Sequence, residues 1–236
     1  MKNSRKLFLT AFAAVTVLLG SCQKDSTLYY NDICLAVVQG KNLLTDYGVL
    51  YHIEEMNCEV SLDTLDRVIV VSDLLSRSDD GGYNIRLNGI ARVLTREVVR
   101  EADLADPSTM GSDPVNINNL WFSGGFLNIQ YSMLSKGRAD KGRDIDLLWE
   151  TNTASDTLKF TFCHNSKGDC YNDPLQQNLK DFDLHSAYVS IPCSVFVNTT
   201  TGDSFPIRLK WKWYNTESGQ YEFPLVDLET SGTVEK

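Results

Sequence analysis

Short apolar runs broken by turn residues dominate the chain, and they predict strands almost everywhere. Residues 33–38 form a run rich in branched side chains, and residues 47–53 alternate loosely. Within residues 67–75, Val68-Ile69-Val70-Val71 reads as a buried strand. Ser78-Asp79-Asp80-Gly81-Gly82 is a tight-turn signal, and residues 83–87 alternate after it. Residues 90–99 alternate less cleanly and fit either a bulged strand or a short helix. The pattern then changes. Residues 101–114 hold two prolines, a glycine and several acids, which suits a linker, so a boundary is expected at residues 107–114.

The second half continues strand after strand. Residues 115–122 and 126–133 are separated by Ser123-Gly124-Gly125, a hairpin signal. Further strands are expected at 144–149, 157–163, 186–192, 194–198, 205–214 and 221–226. Leu209, Trp211 and Trp213 alternate with Lys210 and Lys212, giving one apolar and one charged face. Regular short strands with turn clusters between them point to a β-sandwich. Trp121, Trp149, Trp211 and Trp213 are expected in its core. The clearest helix signal is one turn at residues 173–179, begun by Asp173-Pro174.

The N-terminus follows a different rule. Lys2, Arg5 and Lys6 precede an apolar run, residues 7–19, interrupted only by Thr10 and Thr16. The run is too short for a comfortable bilayer span and ends in small residues, the pattern of a cleaved export leader. Leu19-Gly20-Ser21-Cys22 resembles the lipobox of bacterial lipoproteins. That resemblance implies cleavage after residue 21 and acylation, including palmitate, on Cys22. Residues 22–32 then form a lipidated tether. Removing the leader deletes three cations and no acid, so 19 basic and 31 acidic residues remain, a net charge of −12. Such a chain repels nucleic acid, whose binding rests on Lys and Arg meeting phosphates. It repels anionic lipid head groups too, so the membrane contact is expected through the acyl anchor.

With Cys22 used by lipid, five cysteines remain. An oxidising compartment permits pairing, and an odd number leaves one thiol over. Cys163 and Cys170 flank the turn-rich His164–Asp169 segment and are the first candidate pair, with Cys34 and Cys58 second. In a strict anaerobe all five stay reduced as small buried residues.

Little in the chain points to catalysis. The histidines are His52, His164 and His185, and no Gly-x-Ser-x-Gly elbow is present. His164, Asp169, Asp173 and the flanking cysteines lie close in sequence but match no zinc spacing. His164 is therefore read as a strand end whose ring bonds a loop, with Asn165 and Asp169 shaping the turn. No catalytic residue, metal site or cofactor is expected. The alternative is a metal- or carboxylate-dependent glycan hydrolase, which needs facing acids across a cleft.

Gly111-Ser112-Asp113-Pro114-Val115-Asn116-Ile117, with Trp121-Phe122-Ser123-Gly124-Gly125-Phe126-Leu127-Asn128-Ile129, resembles the central signature of NigD-like lipoproteins. His164-Asn165 with Gly168-Asp169, and Gly82-Tyr83 ahead of Val93-Leu94-Thr95, resemble further landmarks. The resemblance implies an all-β chain: an N-terminal OB-like barrel, placed here at residues 33–106, then a C-terminal β-sandwich at 115–236. It also implies a non-enzymatic, lipid-anchored protein of the outer membrane, linked by the family's name to a bacteriocin locus. OB-folds bind oligonucleotides or sugars on one face. Here that face would carry Tyr47, Tyr51, His52, Tyr83 and Arg86, and the negative charge favours a protein or glycan ligand over nucleic acid. Gln23-Lys24-Asp25-Ser26 partly resembles a surface-export signal of this bacterial group, so the cell surface and the periplasmic face both stay open, as does oligomeric state.

Overall fold

The computed structural model describes residues 31–61, 63–137, 143–150, 157–171, 179–194, 206–215 and 217–229. The leader, Cys22, the 173–179 turn and most of the 194–198 strand lie outside the described residues.

Five strands come first: β1 (Asn31–Gln39), β2 (Asn42–Thr45), β3 (Leu50–Met56), β4 (Arg67–Arg77) and β5 (Tyr83–Arg92). They close into a barrel in the order β1-β2-β3-β5-β4, the OB-like barrel expected. β3 and β5 run parallel; the other pairs are antiparallel. Alternation explains the interior: Cys34, Ala36 and Val38 of β1 meet Val68 and Val70 of β4 and Ile85 and Leu87 of β5 in one core. The run Val68–Val71 is therefore not buried on both faces inside one domain. Val68 and Val70 fill the barrel, whereas Ile69 and Val71 point out of it and are half-buried.

The chain leaves the barrel earlier than expected. After β5 only Val93 intervenes before β6 (Leu94–Thr95), and β7 (Val98–Arg100) follows. Both short strands pair parallel to strands of the second domain. The boundary thus falls near residue 93, and residues 107–114 lie inside the sandwich unit. The weak alternation of residues 90–99 marks a crossing between domains. Residues 101–103 and 107–110 form 3-10 turns, the second capped by the Asp106 carboxylate, which accepts from the Ser108 N–H at 2.9 Å.

The second domain adds β8 (Asn116–Ser123), β9 (Phe126–Ser135), β10 (Asp144–Trp149), β11 (Leu158–Asn165), β12 (Asp183–Pro192), β13 (Pro206–Lys210), β14 (Trp213–Asn215), β15 (Gln220–Glu222) and β16 (Leu225–Glu229). One sheet runs β16-β13-β11-β10-β7, the facing one β6-β12-β9-β8. Their inner faces bury Leu127, Ile129, Leu147, Phe160, Val189 and Leu209 among others. The strand expected at 205–214 breaks after Lys210, though Trp211 and Trp213 still reach the core.

Barrel and sandwich are joined by a hydrogen-bonded network built on a buried ion pair of the barrel. The Arg67 guanidinium grips both oxygens of Asp46, one contact being 2.6 Å, with side chains 1% and 5% exposed. Arg67 also donates to Asn128 Oδ1 (3.1 Å) and Ser190 Oγ (3.4 Å), and its guanidinium lies 4.4 Å from the Phe126 ring centre. Ser123 Oγ donates to Asp46 Oδ2, which Arg67 also binds, and accepts from Trp121 Nε1 (3.1 Å) and Asn128 Nδ2 (2.9 Å). Removing one member leaves a buried charge without its partner. Arg67→Ala or Asp46→Ala is expected to cost about 3–5 kcal/mol in denaturant unfolding. A loss under about 1 kcal/mol, the level of an exposed pair, would contradict a structural role for the pair.

Candidate functional site

The ligand face expected on the barrel does not exist as one surface. Tyr51 is 6% exposed, points into the barrel and donates its hydroxyl to Asp32 at 2.7 Å. Tyr83 packs edge-on against it, ring centres 6.2 Å apart, and belongs to the same core. Arg86 points outward and is held by Glu55 (2.5 Å) and Asp73 (3.6 Å). The pleat is the reason: Tyr83, Ile85 and Leu87 face in, so Arg86 must face out. Tyr47 sits in the loop after β2 and is 78% exposed.

Tyr47 instead lines a groove of about 480 Å³ between the two domains, within the range of about 300–1,000 Å³ usual for ligand clefts. Ile33, Leu35 and Ile69 form the barrel wall; Asn119, Trp121, Gln130 and Tyr188 form the sandwich wall. Trp121 and Tyr188 meet edge to face at 6.5 Å. Trp121 is thus outside the sandwich core, against expectation. A register shift between Ile117 and Asn119 inserts an extra residue in β8. After it Leu120 and Phe122 turn inward and Trp121 turns outward. Trp149 and Trp211 do lie in the core, with Trp213 packed against it.

A larger cleft of about 1180 Å³ opens on the other side of Ile69 and Tyr188. Its arginines are already engaged. Arg67 binds Asp46, Arg92 binds Asp63 and Asp66 at 2.9 and 2.8 Å, Arg143 binds Asp169 at 2.7 Å, and Arg96 donates to the Ile145 carbonyl at 3.3 Å.

The segments 111–117 and 164–169 lock to each other. Asp113 accepts from the Ser166 N–H (2.8 Å) and hydroxyl (2.5 Å), and its own N–H donates to the His164 carbonyl (2.8 Å). Gly111 has φ +83°, and a Cβ there would lie 2.7 Å from Asn165 Cβ. Asn165 shapes the turn by accepting from the Lys167 N–H (3.0 Å). Asp169 reaches instead to the end of β9, accepting from the backbone N–H groups of Lys136 (2.9 Å) and Gly137 (3.1 Å). The His164 ring, expected to bond a loop, is fully buried with neither nitrogen hydrogen-bonded among the described residues.

Cys163 and Cys170 are free thiols, not a disulfide. Cys163 lies opposite Asp146 in the ladder, on the face of β11 away from Phe162 and His164. Cys170 interacts with Ser166 and Asp113, on the His164 side. Alternation sends the Cys163 sulfur to the Asp146 face, away from the Ser166–Asp113 contact that Cys170 joins beyond the strand end. Cys34 and Cys58 are free as well. Burial pushes the thiols of Cys34 and Cys193 up to about 12 and those of Cys163 and Cys170 up to about 11, which keeps these four protonated at neutral pH.

One serine, one aspartate and one histidine do come together on the barrel exterior. Both Ser78 Oγ and His52 Nε2 (2.9 Å) bond Asp80. The Ser78 hydroxyl, the Gly82 N–H and His52 hold that carboxyl down at about 2. The imidazole is bonded to the carboxylate and not to the hydroxyl, so it cannot serve as the base for Ser78. Among the described residues, no three His, Cys, Asp or Glu side chains cluster to hold a metal ion.

The fold and groove define a barrel-plus-sandwich protein with an aromatic cleft at its domain junction. The family model of the NigD-like C-terminal beta sandwich domain matches residues 98–225, over half of the chain. The chain therefore belongs to the NigD-like family. No curated protein matches it. Among solved structures, a protein of unknown function from Bacteroides vulgatus is similar at 17% identity and TM-score 0.62, covering 87% of this chain and 95% of that one. A NigD-like immunity protein from Bacteroides caccae is similar at 16% identity and TM-score 0.61, covering 83% and 91%. A chain provisionally designated a lipoprotein, from Bacteroides fragilis, aligns at 9% identity and TM-score 0.59, covering 87% and 100%. At these identities the likeness is one of fold.

The buried histidine and the hairpin glycines each have a measurable consequence. Burial, opposed by Asp113 and reinforced by Arg143, lowers His164 to about 4. The unfolded chain, with His near 6.5, then binds more protons between those values, so stability falls as pH drops from about 6.5 to about 4. His164→Leu is expected to remove about 3 kcal/mol of that pH-dependent loss in urea unfolding at successive pH values; identical slopes for the two proteins would refute it. Gly124 has φ +57°, and a Cβ there would collide with the Asp46 carboxylate. Gly124→Ala should lower stability by more than about 1 kcal/mol, against little change for Gly125→Asn, whose open position also has positive φ but which suits Asn.

Proposed function

We propose that this chain is a lipid-anchored protein of the outer membrane that acts by binding, not by catalysis, and that its ligand, a protein or a glycan, lies in the groove between barrel and sandwich. The groove itself carries the reading. It gathers Tyr47, Trp121 and Tyr188 with uncharged amides beside a hydrogen-bonded junction, which is what recognition needs. Catalysis needs a nucleophile with its base or two facing acids. The described residues offer buried protonated thiols and a Ser78–Asp80–His52 set joined in the wrong order. The description of a similarly folded chain as an immunity protein supports the same reading.

The anchor supports an envelope location. A basic and apolar leader ends in Leu19-Gly20-Ser21-Cys22, and another chain of the same fold is designated a lipoprotein. Several acyl chains on one cysteine hold far more firmly than the single chain that binds reversibly. Wild-type protein is expected in the detergent phase on Triton X-114 partition of its host's envelope, with Cys22→Ala in the aqueous phase. A variant that still partitions into detergent would overturn the lipid anchor. Protease treatment of intact cells then separates the two faces: digestion puts the groove outside, and protection until lysis puts it in the periplasm.

A further inference from the structure

The outer face of the β8-β9-β12 sheet differs from the rest of this acidic chain. Register places Asn119 beside Gln130, Gln130 beside Tyr188, and Ser132 beside Ser186 on that face. Asn116 and Asn118 extend it, and Ser132 donates to Asn118 Oδ1 at 3.1 Å. Every outward side chain between the Asn128–Ser190 row and the Ser132–Ser186 row is uncharged, in a chain of net charge −9. The groove with Tyr47 opens where this face meets the barrel.

From this we infer that the groove and the adjoining sheet face bind a neutral glycan. The inference rests on the binding reading above and names its ligand class. Sugar rings present an apolar C–H face and a rim of hydroxyls. Aromatic rings complement the first and amides the second. Trp121 is held ready to stack on a sugar ring. Its Nε1–H is bonded to Ser123, which itself anchors to Asp46, and Tyr188 abuts its ring. A ring fixed in advance loses little entropy on binding. The Gln130 amide and the Tyr188 and Tyr47 hydroxyls make no hydrogen bond among the described residues and are not fully buried, so they are open to sugar hydroxyls. A phosphate or carboxylate ligand would call for a free cation. The groove lining holds none, and its one charged residue is Asp46, already saturated by Arg67 and Ser123. A sheet-edge peptide would pair with β8 backbone and would make no use of amides on the sheet face.

The test titrates the detergent-solubilised lipoprotein by calorimetry with uncharged hexasaccharides of glucose, mannose and xylose, with polygalacturonate as the acidic comparison. At least one neutral hexasaccharide is expected to bind, with affinity unchanged by added salt. Tyr47→Ala and Gln130→Ala, both at accessible positions, should each weaken it about tenfold. Trp121→Leu, which removes the stacking ring and its bond to Ser123, should weaken it at least about tenfold, and Arg86→Ala, outside the groove, should leave it unchanged. Silence from every neutral sugar, salt-sensitive binding of polygalacturonate alone, or indifference to Tyr47→Ala and Gln130→Ala would overturn the glycan assignment. Peptides selected from a display library that bind in a Tyr47-dependent way, without any sugar binding, would overturn it too but leave the binding reading standing. Shortened oligosaccharides in the calorimeter cell would instead overturn the non-enzymatic reading.

Discussion

The bonds that the buried Arg67–Asp46 pair of the barrel makes to Ser123, Asn128 and Ser190 of the sandwich set the relation between the two domains, and most of what is distinctive here depends on them. Two charges taken out of water cost several kcal/mol each unless their remaining hydrogen-bonding capacity is met. Here it is met by three sandwich side chains, Ser123, Asn128 and Ser190. Arg67 begins β4, Asp46 follows β2, Ser123 and Asn128 flank the β8–β9 hairpin, and Ser190 lies on β12. A displacement of barrel against sandwich would strand several of these groups together. A greasy contact could slide; this one has a single satisfied geometry.

That fixed geometry makes the grooves. With the junction pinned at one row of the sheet, the curved barrel wall and the flatter sandwich face diverge on either side of it. On one side the divergence exposes Tyr47, Trp121 and Tyr188 together. On the other it gives a wider cleft whose arginines are neutralised by neighbours. Neither Trp121 nor Tyr47 would form a site alone, because one belongs to the sandwich and the other to a barrel loop.

Close packing explains the family's signature residues without any appeal to catalysis. Gly111 and Asp113 receive the His164–Ser166 strand end, and Gly124 makes room for the Asp46 carboxylate. Gly137 yields to Asp169, whose carboxylate would sit 2.6 Å from a Cβ there, and Arg143 closes that contact. Each glycine marks a place where a carboxylate or backbone approaches too closely for a side chain. His164 is part of this packing. Its full burial and absence of ring partners among the described residues describe a structural imidazole, where the sequence pattern pointed to a loop-bonding one.

Sequence alone determined the class of fold and most strands, because period-two alternation and turn chemistry are local properties that survive without tertiary context. It could not decide which side of a strand meets which neighbour. The Val68–Val71 run has the same hydropathy whether its outward face meets helices, lipid or a second domain, and only the junction shows that Ile69 packs beside the groove. One extra residue in β8 reverses the faces of every side chain after it, so Trp121 moved from expected core to groove wall. The Cys163–Cys170 pairing failed for the same reason: closeness in sequence says nothing about the face on which each sulfur emerges. The candidate ligand face was drawn from one domain, while the groove is made by two, through contacts between residues such as Asp46 and Ser123 that lie far apart along the chain.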